Sequence, residues 1–174
     1  MSQKASGYQR VERDLYETPA WVTRALLPHI PTGLAIWEPA AGSGKMANAL
    51  MDGGHKVWAT DISDPCPTDF LLTVDRSWRA IVTNPPYELA QEFIDHAMRM
   101  VGGDGLVAML LRTDFDHAKT RQHLFGKCPE FSKKLVLTRR IKWFEDSKGQ
   151  PSFNHAWFIW DMARRGEPTI AYGP

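Results

Sequence analysis

The sequence predicts an α/β fold in which helices cover both faces of a mostly parallel sheet. Short apolar segments alternate with helical segments between residues 34 and 111, and this alternation is typical of βα units. Segment 106–111 is apolar at every position, as expected of a strand that is buried on both faces. Turns rich in glycine or proline separate the elements.

The N-terminal part predicts a flexible segment followed by a helix. Residues 1–15 are mostly polar, and we expect them to be loose. Thr18 can cap the first turn, and Pro19 is tolerated at the first helical position because proline has no N–H to lose. Apolar side chains follow at helical spacing over 21–30, and the prolines within 28–31 end the helix.

Seven segments are predicted as strands, and two further segments as helices. The glycine pairs 53–54 and 102–103 are predicted to end these two helices. The polar segment 139–155 joins the last two strands without an obvious helix, which predicts an antiparallel hairpin at the sheet edge. The strands are 34–37, 57–60, 70–72, 80–83, 106–111, 135–137 and 156–160, and the helices are 46–51 and 89–101.

Length and charge indicate one domain over 1–174 with a modestly basic part. The 174 residues are enough to bury one core, and the sequence has no repeat and no linker. The net charge is +1, but Arg112–Lys148 carries ten basic and five acidic residues, giving +5, and the rest carries 11 and 15, giving −4. A basic segment of this kind suits a polyanionic partner, and on charge alone a solvated basic face explains it equally well.

Several classes of protein are disfavoured. Cys66, Cys128 and the six histidines lack metal-ligand spacing, so we expect neither a metal site nor a disulfide framework. The N-terminus has no apolar signal region, and no apolar run approaches membrane-spanning length. We therefore expect a soluble, cytoplasmic protein that does not interact with membranes.

A glycine-containing turn predicts a nucleotide-like cofactor site. The run Glu38-Pro39-Ala40-Ala41-Gly42-Ser43-Gly44 lies between the first strand and the next helix, and ligands bind at the carboxyl ends of strands in open α/β sheets. Asp61 ends the following strand, where a carboxylate can accept hydrogen bonds from both hydroxyls of a ribose. The spacing matches neither G-x-G-x-x-G nor a P-loop, so dinucleotide-dependent and NTPase chemistry are disfavoured.

The run Asn84-Pro85-Pro86-Tyr87 after an apolar strand predicts the catalytic site. An exocyclic amino nitrogen is a poor nucleophile because its lone pair is delocalised into the ring. The Asn84 side-chain carbonyl and the Pro85 backbone carbonyl can accept both N–H hydrogens, which stabilises the positive charge that develops when the nitrogen attacks an electrophile. The prolines hold the backbone stiffly, and Tyr87 offers a flat face for a base. The structural alternative is a strand-ending Pro-Pro turn.

Together these two motifs resemble those of class I S-adenosylmethionine-dependent methyltransferases, most closely the γ-type N6-adenine DNA methyltransferases. The resemblance extends over about residues 16–160. It implies a Rossmann-like fold, S-adenosylmethionine as cofactor and transfer of a methyl group to N6 of adenine in DNA. The most common DNA variant of this family has Asp at position 84, but Asn is well represented. Many members carry a separate target-recognition domain, for which this chain has no room, so specificity would come from the loops 112–127 and 139–155.

The same resemblance implies roles for individual cofactor-binding residues. Glu38 would orient the methionine end of the cofactor, and Asp61 would hold the ribose. Asp69 would accept from the adenine amino group and Phe93 would lie against the adenine, with a loop acid and a core phenylalanine as the structural alternatives. The segment Glu17-Thr18-Pro19 resembles the family's N-terminal motif. The predicted cofactor-binding residues are Thr18, Pro19, Glu38, Pro39, Ala40, Gly42, Gly44, Asp61, Ile62, Asp69, Phe70, Asn84 and Phe93.

Substrate contacts are predicted on the last third of the chain. A base in duplex DNA is stacked, so an enzyme must flip it out before reacting with it. Phe153 is predicted to pack on the flipped base, with Trp143 and Phe144 as alternatives and a hairpin packing role equally open. Phosphate contacts are predicted for Arg112, Lys119, Arg121, Lys133, Lys134, Arg139, Arg140 and Lys142.

Three other functions remain open at this stage. Asn-Pro-Pro-Tyr also occurs in methyltransferases that act on a protein glutamine amide or on amino groups of RNA bases, because all these nitrogens are planar and conjugated. The glutamine enzymes usually have an added N-terminal helical domain, which is missing here. The third alternative is a methyltransferase-like binding module without activity, against which the two intact motifs argue. The sequence leaves the oligomeric state open.

Overall fold

The computed structural model of the protein describes residues 16–74, 78–143 and 153–174. Within them, one sheet of seven hydrogen-bonded strands runs through the molecule in the order β2-β1-β3-β4-β6-β5-β7. The strands are β1 (Ala35–Glu38), β2 (Lys56–Ala59), β3 (Trp78–Thr83), β4 (Val101–Arg112), β5 (Phe131–Leu137), β6 (His155–Asp161) and β7 (Thr169–Gly173).

The strand directions confirm the predicted sheet. Every neighbouring pair is parallel except the two pairs that β6 makes, which are antiparallel with β4 and β5. The mostly parallel seven-stranded sheet with an antiparallel C-terminal hairpin is therefore the observed architecture.

One of the seven predicted strands is wrong, and one real strand was missed. Phe70–Leu72 forms a 3₁₀ turn, because the Asp69 carboxylate accepts the N–H of Leu71 at 3.0 Å and so begins a turn. Phe70 is apolar because it is buried in the core. The missed strand is β7, a five-residue segment whose side chains are largely exposed. It pairs with β5, so the hairpin does not form the sheet edge.

Other strands extend further than predicted. Strand β5 begins at Phe131, and its polar Lys133 and Lys134 are half-buried members of the ladder. Strand β4 begins at Val101, directly after the last helical residue, so the Gly102-Gly103 pair lies inside the strand instead of in a connecting turn. For Lys133 and Lys134, pairing with β6 outweighs the local residue preference, whereas Gly102 and Gly103 lie where the ladder with β3 shifts its register.

Helices cover both faces of the sheet, as predicted. The helices are α1 (Ala20–Leu26), α2 (Lys45–Asp52) and α3 (Ala90–Met100). On one face, α1 and α2 bury Val22, Leu26 and Leu50 in one core cluster, and on the other α3 buries Ile94 and Ala97 in a second. Strand β4 contributes alternate residues to the two clusters, which explains why it is apolar throughout.

The start of α1 differs from the prediction. Pro19 occupies the N-cap position, Ala20 is the first helical residue, and no side chain caps the helix. Thr18 is buried and lines a cavity described below, which explains why it does not cap. The indole N–H of Trp157 on β6 donates to the carbonyl of Val22 at 2.9 Å. This bond fixes α1, and the segment that precedes it, against the sheet.

The parallel strands bring their carboxyl ends to one edge of the sheet. The loops that follow β1, β2 and β3 therefore meet there, and these loops contain both motifs that the sequence analysis singled out. No helix in the described part of the chain is long and apolar enough to cross a membrane.

Candidate functional site

A cavity of about 200 Å³ opens at this edge of the sheet. It is larger than a water site needs and suits an extended small molecule. Pro19 and Gly44 do not line it, and neither do Pro85 and Tyr87, whereas Pro86 does. The predicted cofactor-binding residues that do line it are Thr18, Glu38, Pro39, Ala40, Gly42, Asp61, Ile62, Asp69, Phe70, Asn84 and Phe93.

The turn after β1 depends on glycine at two positions. Gly42 and Gly44 have φ angles of 51° and 81°, in the left-handed region that favours glycine. Gly44 is the N-cap residue of α2, and its N–H donates to the carbonyl of Ala41 at 2.8 Å. Apart from its two chain neighbours, no described residue has a heavy atom within 4 Å of the position that a Cβ on Gly42 would take. The turn therefore presents open backbone at the rim of the cavity.

Asp61 connects the loop after β2 with this turn. One carboxylate oxygen accepts the N–H of Gly42 at 2.8 Å, and the other accepts the N–H and hydroxyl of Ser63 at 2.9 and 2.6 Å. Burial alone would raise the pKa of Asp61, but the bonds from Ser63 and Gly42 outweigh it and hold the pKa below its ordinary value. Asp61 is therefore an ionised acceptor in the cavity wall, with lone pairs left for a ligand hydroxyl.

Glu38 is the most perturbed acid of the site. It ends β1, its side chain is buried, and its Oε2 has no hydrogen-bond partner among the described residues. Burial raises the pKa of Glu38 to about 9, with a further upward contribution from the nearby Asp61 and an opposing one from the backbone N–H of Ala47. A buried carboxyl without a partner beside a cavity fits a cationic ligand, whose charge would favour the ionised form over the protonated form that burial imposes.

This carboxyl makes the stability of the ligand-free protein depend on pH. A raised pKa means that the folded state holds a proton that the unfolded state releases at about pH 4.5, so stability falls as pH rises from there towards about pH 9. We expect Glu38→Gln to remove this dependence, which amounts to at most about 1.4 kcal/mol per pH unit. Urea titrations at several pH values measure it. If the free energy of unfolding changed with pH in the same way for wild type and variant, the raised pKa of Glu38 would be contradicted.

Asp69, Phe70 and Phe93 form the far wall of the cavity. The Phe70 and Phe93 rings lie 4.8 Å apart and are both buried, so each is at once a core residue and part of the cavity lining. Asp69 has one oxygen engaged by the N–H of Leu71. The structural and the ligand-binding interpretations of these residues are therefore compatible with each other.

Asn84 follows β3 and lies between the cavity and the N-terminal segment. Its Nδ2 donates to the carbonyl of Tyr16 at 3.2 Å, and this bond fixes the orientation of the amide. Its Oδ1 is buried and has no hydrogen-bond partner within 16–74, 78–143 and 153–174. An acceptor held in this way, in the lining of the cavity, is available to a ligand N–H.

Tyr87 of the catalytic motif belongs to a set of four aromatic rings in mutual contact. The set is Tyr16, Tyr87, Trp143 and His155. Tyr87 lies 6.0 Å from Tyr16 and 6.1 Å from His155 between ring centroids, with both pairs close to parallel. Trp143 contacts the Tyr16 and His155 rings at 5.4 and 5.2 Å. The sequence analysis missed Tyr16 and His155, because residues so far from position 87 along the chain give no local signal.

The N-terminal segment is tied to the rim of the cavity at a second point. Glu17 forms an ion pair with Lys45 at the start of α2, and both residues line the cavity. Hydrogen bonds from Lys45 and Ser43 hold the pKa of Glu17 below its ordinary value. Lys45 and Ser43 were not predicted as site residues, although both belong to or adjoin the predicted glycine turn.

Several predicted substrate contacts lie at the same sheet edge. The Arg112 guanidinium lies 4.1 Å from the centroid of the half-exposed Phe153 ring. The same guanidinium forms an ion pair with the Asp114 carboxylate at 2.8 Å. Arg139 lies over Trp21 at 4.9 Å, and Arg140 donates to the Asn154 side chain at 3.0 Å. Arg139, Arg140 and Lys142 are exposed.

Other members of the predicted phosphate-contacting set have protein partners. Lys134 donates to the carbonyl of Thr113 and to Asp116 at 2.8 and 2.7 Å, and it is half-buried. The guanidinium of Arg121 lies over the Phe115 ring at 3.8 Å. Phe144, an alternative stacking residue, lies outside the described residues. Among those that are described, no cluster of His, Cys, Asp or Glu could hold a metal ion.

Comparison with solved structures shows which fold this is. A protein from Listeria monocytogenes, proposed to be a class I S-adenosylmethionine-dependent methyltransferase, superposes with a TM-score of 0.65 at 16% identity, over 93% of this chain and 67% of its own. A proposed RNA methyltransferase from Pyrococcus horikoshii gives 0.67 at 14% identity, over 91% and 92%. The modification subunit of a proposed type I restriction enzyme from Vibrio vulnificus gives 0.60 at 15%, over 90% and 46%.

These similarities show that the chain has the class I methyltransferase fold. No family model and no curated protein sequence matches it.

Proposed function

We propose that this chain is an S-adenosylmethionine-dependent methyltransferase that acts on an exocyclic amino nitrogen, with N6 of adenine in DNA as the preferred substrate. The observation that carries the proposal is the buried carbonyl oxygen of Asn84, which has no partner among the described residues and belongs to the cavity lining. Its amide is anchored by the Tyr16 carbonyl, so the oxygen is oriented before a substrate arrives.

Two acidic side chains and one aromatic ring of the cavity lining support S-adenosylmethionine as the cofactor. The unpartnered Oε2 of Glu38 suits the ammonium group at the methionine end, and the ionised Asp61 suits the ribose hydroxyls. The Phe93 ring in the cavity lining suits an adenine face. When bound, the cofactor supplies an electrophilic methyl group.

The residues of the catalytic motif then act on the amino group. The Asn84 Oδ1 and the Pro85 backbone carbonyl accept its two N–H hydrogens, which returns lone-pair density to the nitrogen and stabilises the charge formed there. Tyr87 holds the ring of the base by stacking. No strong base is needed, because the protonated amine product is very acidic and loses its proton to water.

The structure changes the preferred candidate for the second stacking residue. Trp143 contacts the His155 ring, which in turn contacts Tyr87, so Trp143 belongs to the surroundings of the catalytic motif. One face of Phe153 is covered by the Arg112 guanidinium. We therefore favour Trp143 for stacking on the base, and Phe153 with Arg112 for contacts to the flanking strand.

DNA is preferred over other substrates for two reasons. The exposed Arg139, Arg140 and Lys142 follow β5 at the same sheet edge as Asn84, where phosphates of a polyanion can meet them. The fold is also similar to that of a restriction-modification subunit. RNA is the second candidate, because the fold is also similar to that of the proposed RNA methyltransferase, with a TM-score of 0.67 against 0.60 for the modification subunit.

Transfer of a labelled methyl group to three acceptors in parallel tests the proposal. The acceptors are unmethylated duplex DNA, total RNA and a protein extract, and the products are digested and separated. Recovery of label as N6-methyladenine from DNA supports the proposal. Label only in RNA or protein overturns the substrate but keeps the chemistry, and cofactor binding without any transfer favours the binding module.

Nucleic-acid binding should weaken steeply with added salt. Each phosphate contact releases condensed counterions, and for duplex DNA the slope of log K against log salt concentration is about −0.9 per contact. We expect the double variant Arg139→Ala, Arg140→Ala to reduce the magnitude of this slope by about 2, measured by fluorescence anisotropy. Lys56→Ala is the matched control, because Lys56 is exposed at the opposite, amino end of β2. An affinity for nucleic acid that does not change with salt concentration would contradict the proposed phosphate contacts.

A further inference from the structure

A buried histidine that the proposed reaction does not use lies beside the catalytic motif. His155 is the first residue of β6, and only 2% of its surface is exposed. Its Nε2 lies 2.9 Å from the hydroxyl oxygen of Tyr87, across 68 positions of sequence. The hydrogen bond connects the loop after β3 directly with the far half of the sheet.

The surroundings of His155 keep its ring uncharged. Burial, together with the positive charge of Arg112, its partner in the β4–β6 ladder, lowers the pKa of His155 to about 4, against opposing contributions from the backbone of Phe153 and from Asp114. The Tyr87 and Trp143 rings pack against it. At neutral pH the imidazole is therefore a neutral group, which suits a fixed hydrogen-bond partner better than a proton donor to the substrate.

We propose that His155 is a positioning residue that holds the Tyr87 ring in the orientation required for stacking on the substrate base. The inference rests on the proposed function, in which Tyr87 is the stacking residue. Tyr87 opens a short 3₁₀ turn directly after two prolines, and its side chain is half-buried, so the backbone alone does not fix the direction of the ring. The hydrogen bond between the Tyr87 hydroxyl, at the far end of the ring, and His155 fixes this direction.

The two ends of the catalytic motif are anchored separately. Asn84 is held by the Tyr16 carbonyl on the N-terminal side, and Tyr87 is held by His155 on β6. Orientation before binding reduces the ordering cost when the base enters, so the His155 bond should improve substrate use without touching the substrate.

A double-mutant cycle tests this role. Tyr87→Phe keeps the stacking ring and removes only the hydroxyl, and His155→Phe keeps a buried ring and removes the ring nitrogen that bonds the hydroxyl. We expect each single variant to lower kcat/KM by about 3- to 10-fold, the worth of one neutral hydrogen bond, and the double variant to lose no more than either single. Cofactor affinity should stay unchanged in all three. Additive losses, or a Tyr87→Phe variant with wild-type kinetics, would overturn the role.

Two further measurements separate this inference from the proposed function. His155→Gln offers a neutral amide at the same reach and should recover part of the activity that His155→Phe loses, whereas a purely structural role predicts no recovery. NMR of the imidazole nitrogens needs no substrate: the His155 signal should stay neutral down to about pH 5 and should shift in Tyr87→Phe. A His155 that titrates normally would refute the inference even if methyl transfer is absent.

Discussion

Asn84→Ala is expected to lower the rate of methyl transfer by at least about 100-fold, because one preorganised charge-stabilising partner is commonly worth this much or more. The variant removes the buried Oδ1 that has no partner among the described residues, and it leaves the backbone carbonyl of Pro85 in position. Cofactor affinity should change by no more than a few fold, because Glu38 and Asp61 remain. Transfer of labelled methyl groups and calorimetry with S-adenosylhomocysteine measure the two quantities.

The chain offers a matched control for this substitution. Asn48 is exposed on α2, so Asn48→Ala removes the same side chain away from the cavity and should leave both quantities unchanged. Because Asn84 also bonds the Tyr16 carbonyl, the thermal unfolding of both variants must be compared with wild type. Loss of cofactor binding together with transfer in a folded Asn84→Ala protein would contradict the assigned role.

Asp61→Ala is expected to weaken binding of S-adenosylhomocysteine by about 10- to 100-fold, the usual range for hydrogen bonds to a charged partner. The carboxylate sits in the cavity lining and is ionised at neutral pH, because Ser63 and Gly42 lower its pKa. Isothermal calorimetry gives the affinity directly. An unchanged affinity in Asp61→Ala would refute the assignment of the ribose hydroxyls.

A second variant separates the two roles of Asp61. Its carboxylate also holds the loop after β2 through the N–H and hydroxyl of Ser63. Ser63→Ala removes the hydroxyl bond and keeps the ligand acceptor, so we expect a loss of less than about 5-fold. If Ser63→Ala weakens binding of S-adenosylhomocysteine as much as Asp61→Ala does, the loss in Asp61→Ala would come from disorder of the loop after β2. Direct contact between Asp61 and the ligand would then be contradicted.

The parts of the fold that local pattern encodes were predictable from the sequence. Alternating apolar strands and amphipathic helices gave the sheet, its direction and the coverage of both faces. The strand at β7 was not predicted although Ile170 and Tyr172 alternate along it, because both side chains are exposed and only the pairing with β5, a tertiary contact, makes this short segment a strand. Segment 70–72 misled for the opposite reason, since Phe70 is apolar for core packing and Asp69 turns the chain.

Likewise, some residues of the candidate site were predictable from local motifs and others were not. Its motif residues, such as Glu38, Asp61 and Asn84, were identified because glycines, prolines and carboxylates at strand ends have few local explanations. Tyr16 and His155 were not, since each acts through a tertiary contact with the Asn84–Tyr87 segment. The shift in favour of Trp143 over Phe153 likewise depends on packing that no spacing rule encodes.

Methylation of cellular DNA tests the central claim most directly. The chain is expressed in a bacterial strain that lacks adenine methylation, next to the Asn84→Ala variant at equal protein level. Purified genomic DNA is then digested to nucleosides and analysed by mass spectrometry. We predict N6-methyladenine in the wild-type sample and background in the variant. Absence of any methylated base from the DNA of both, with the wild-type protein folded and able to bind S-adenosylmethionine, would contradict the assignment of adenine in DNA as the substrate.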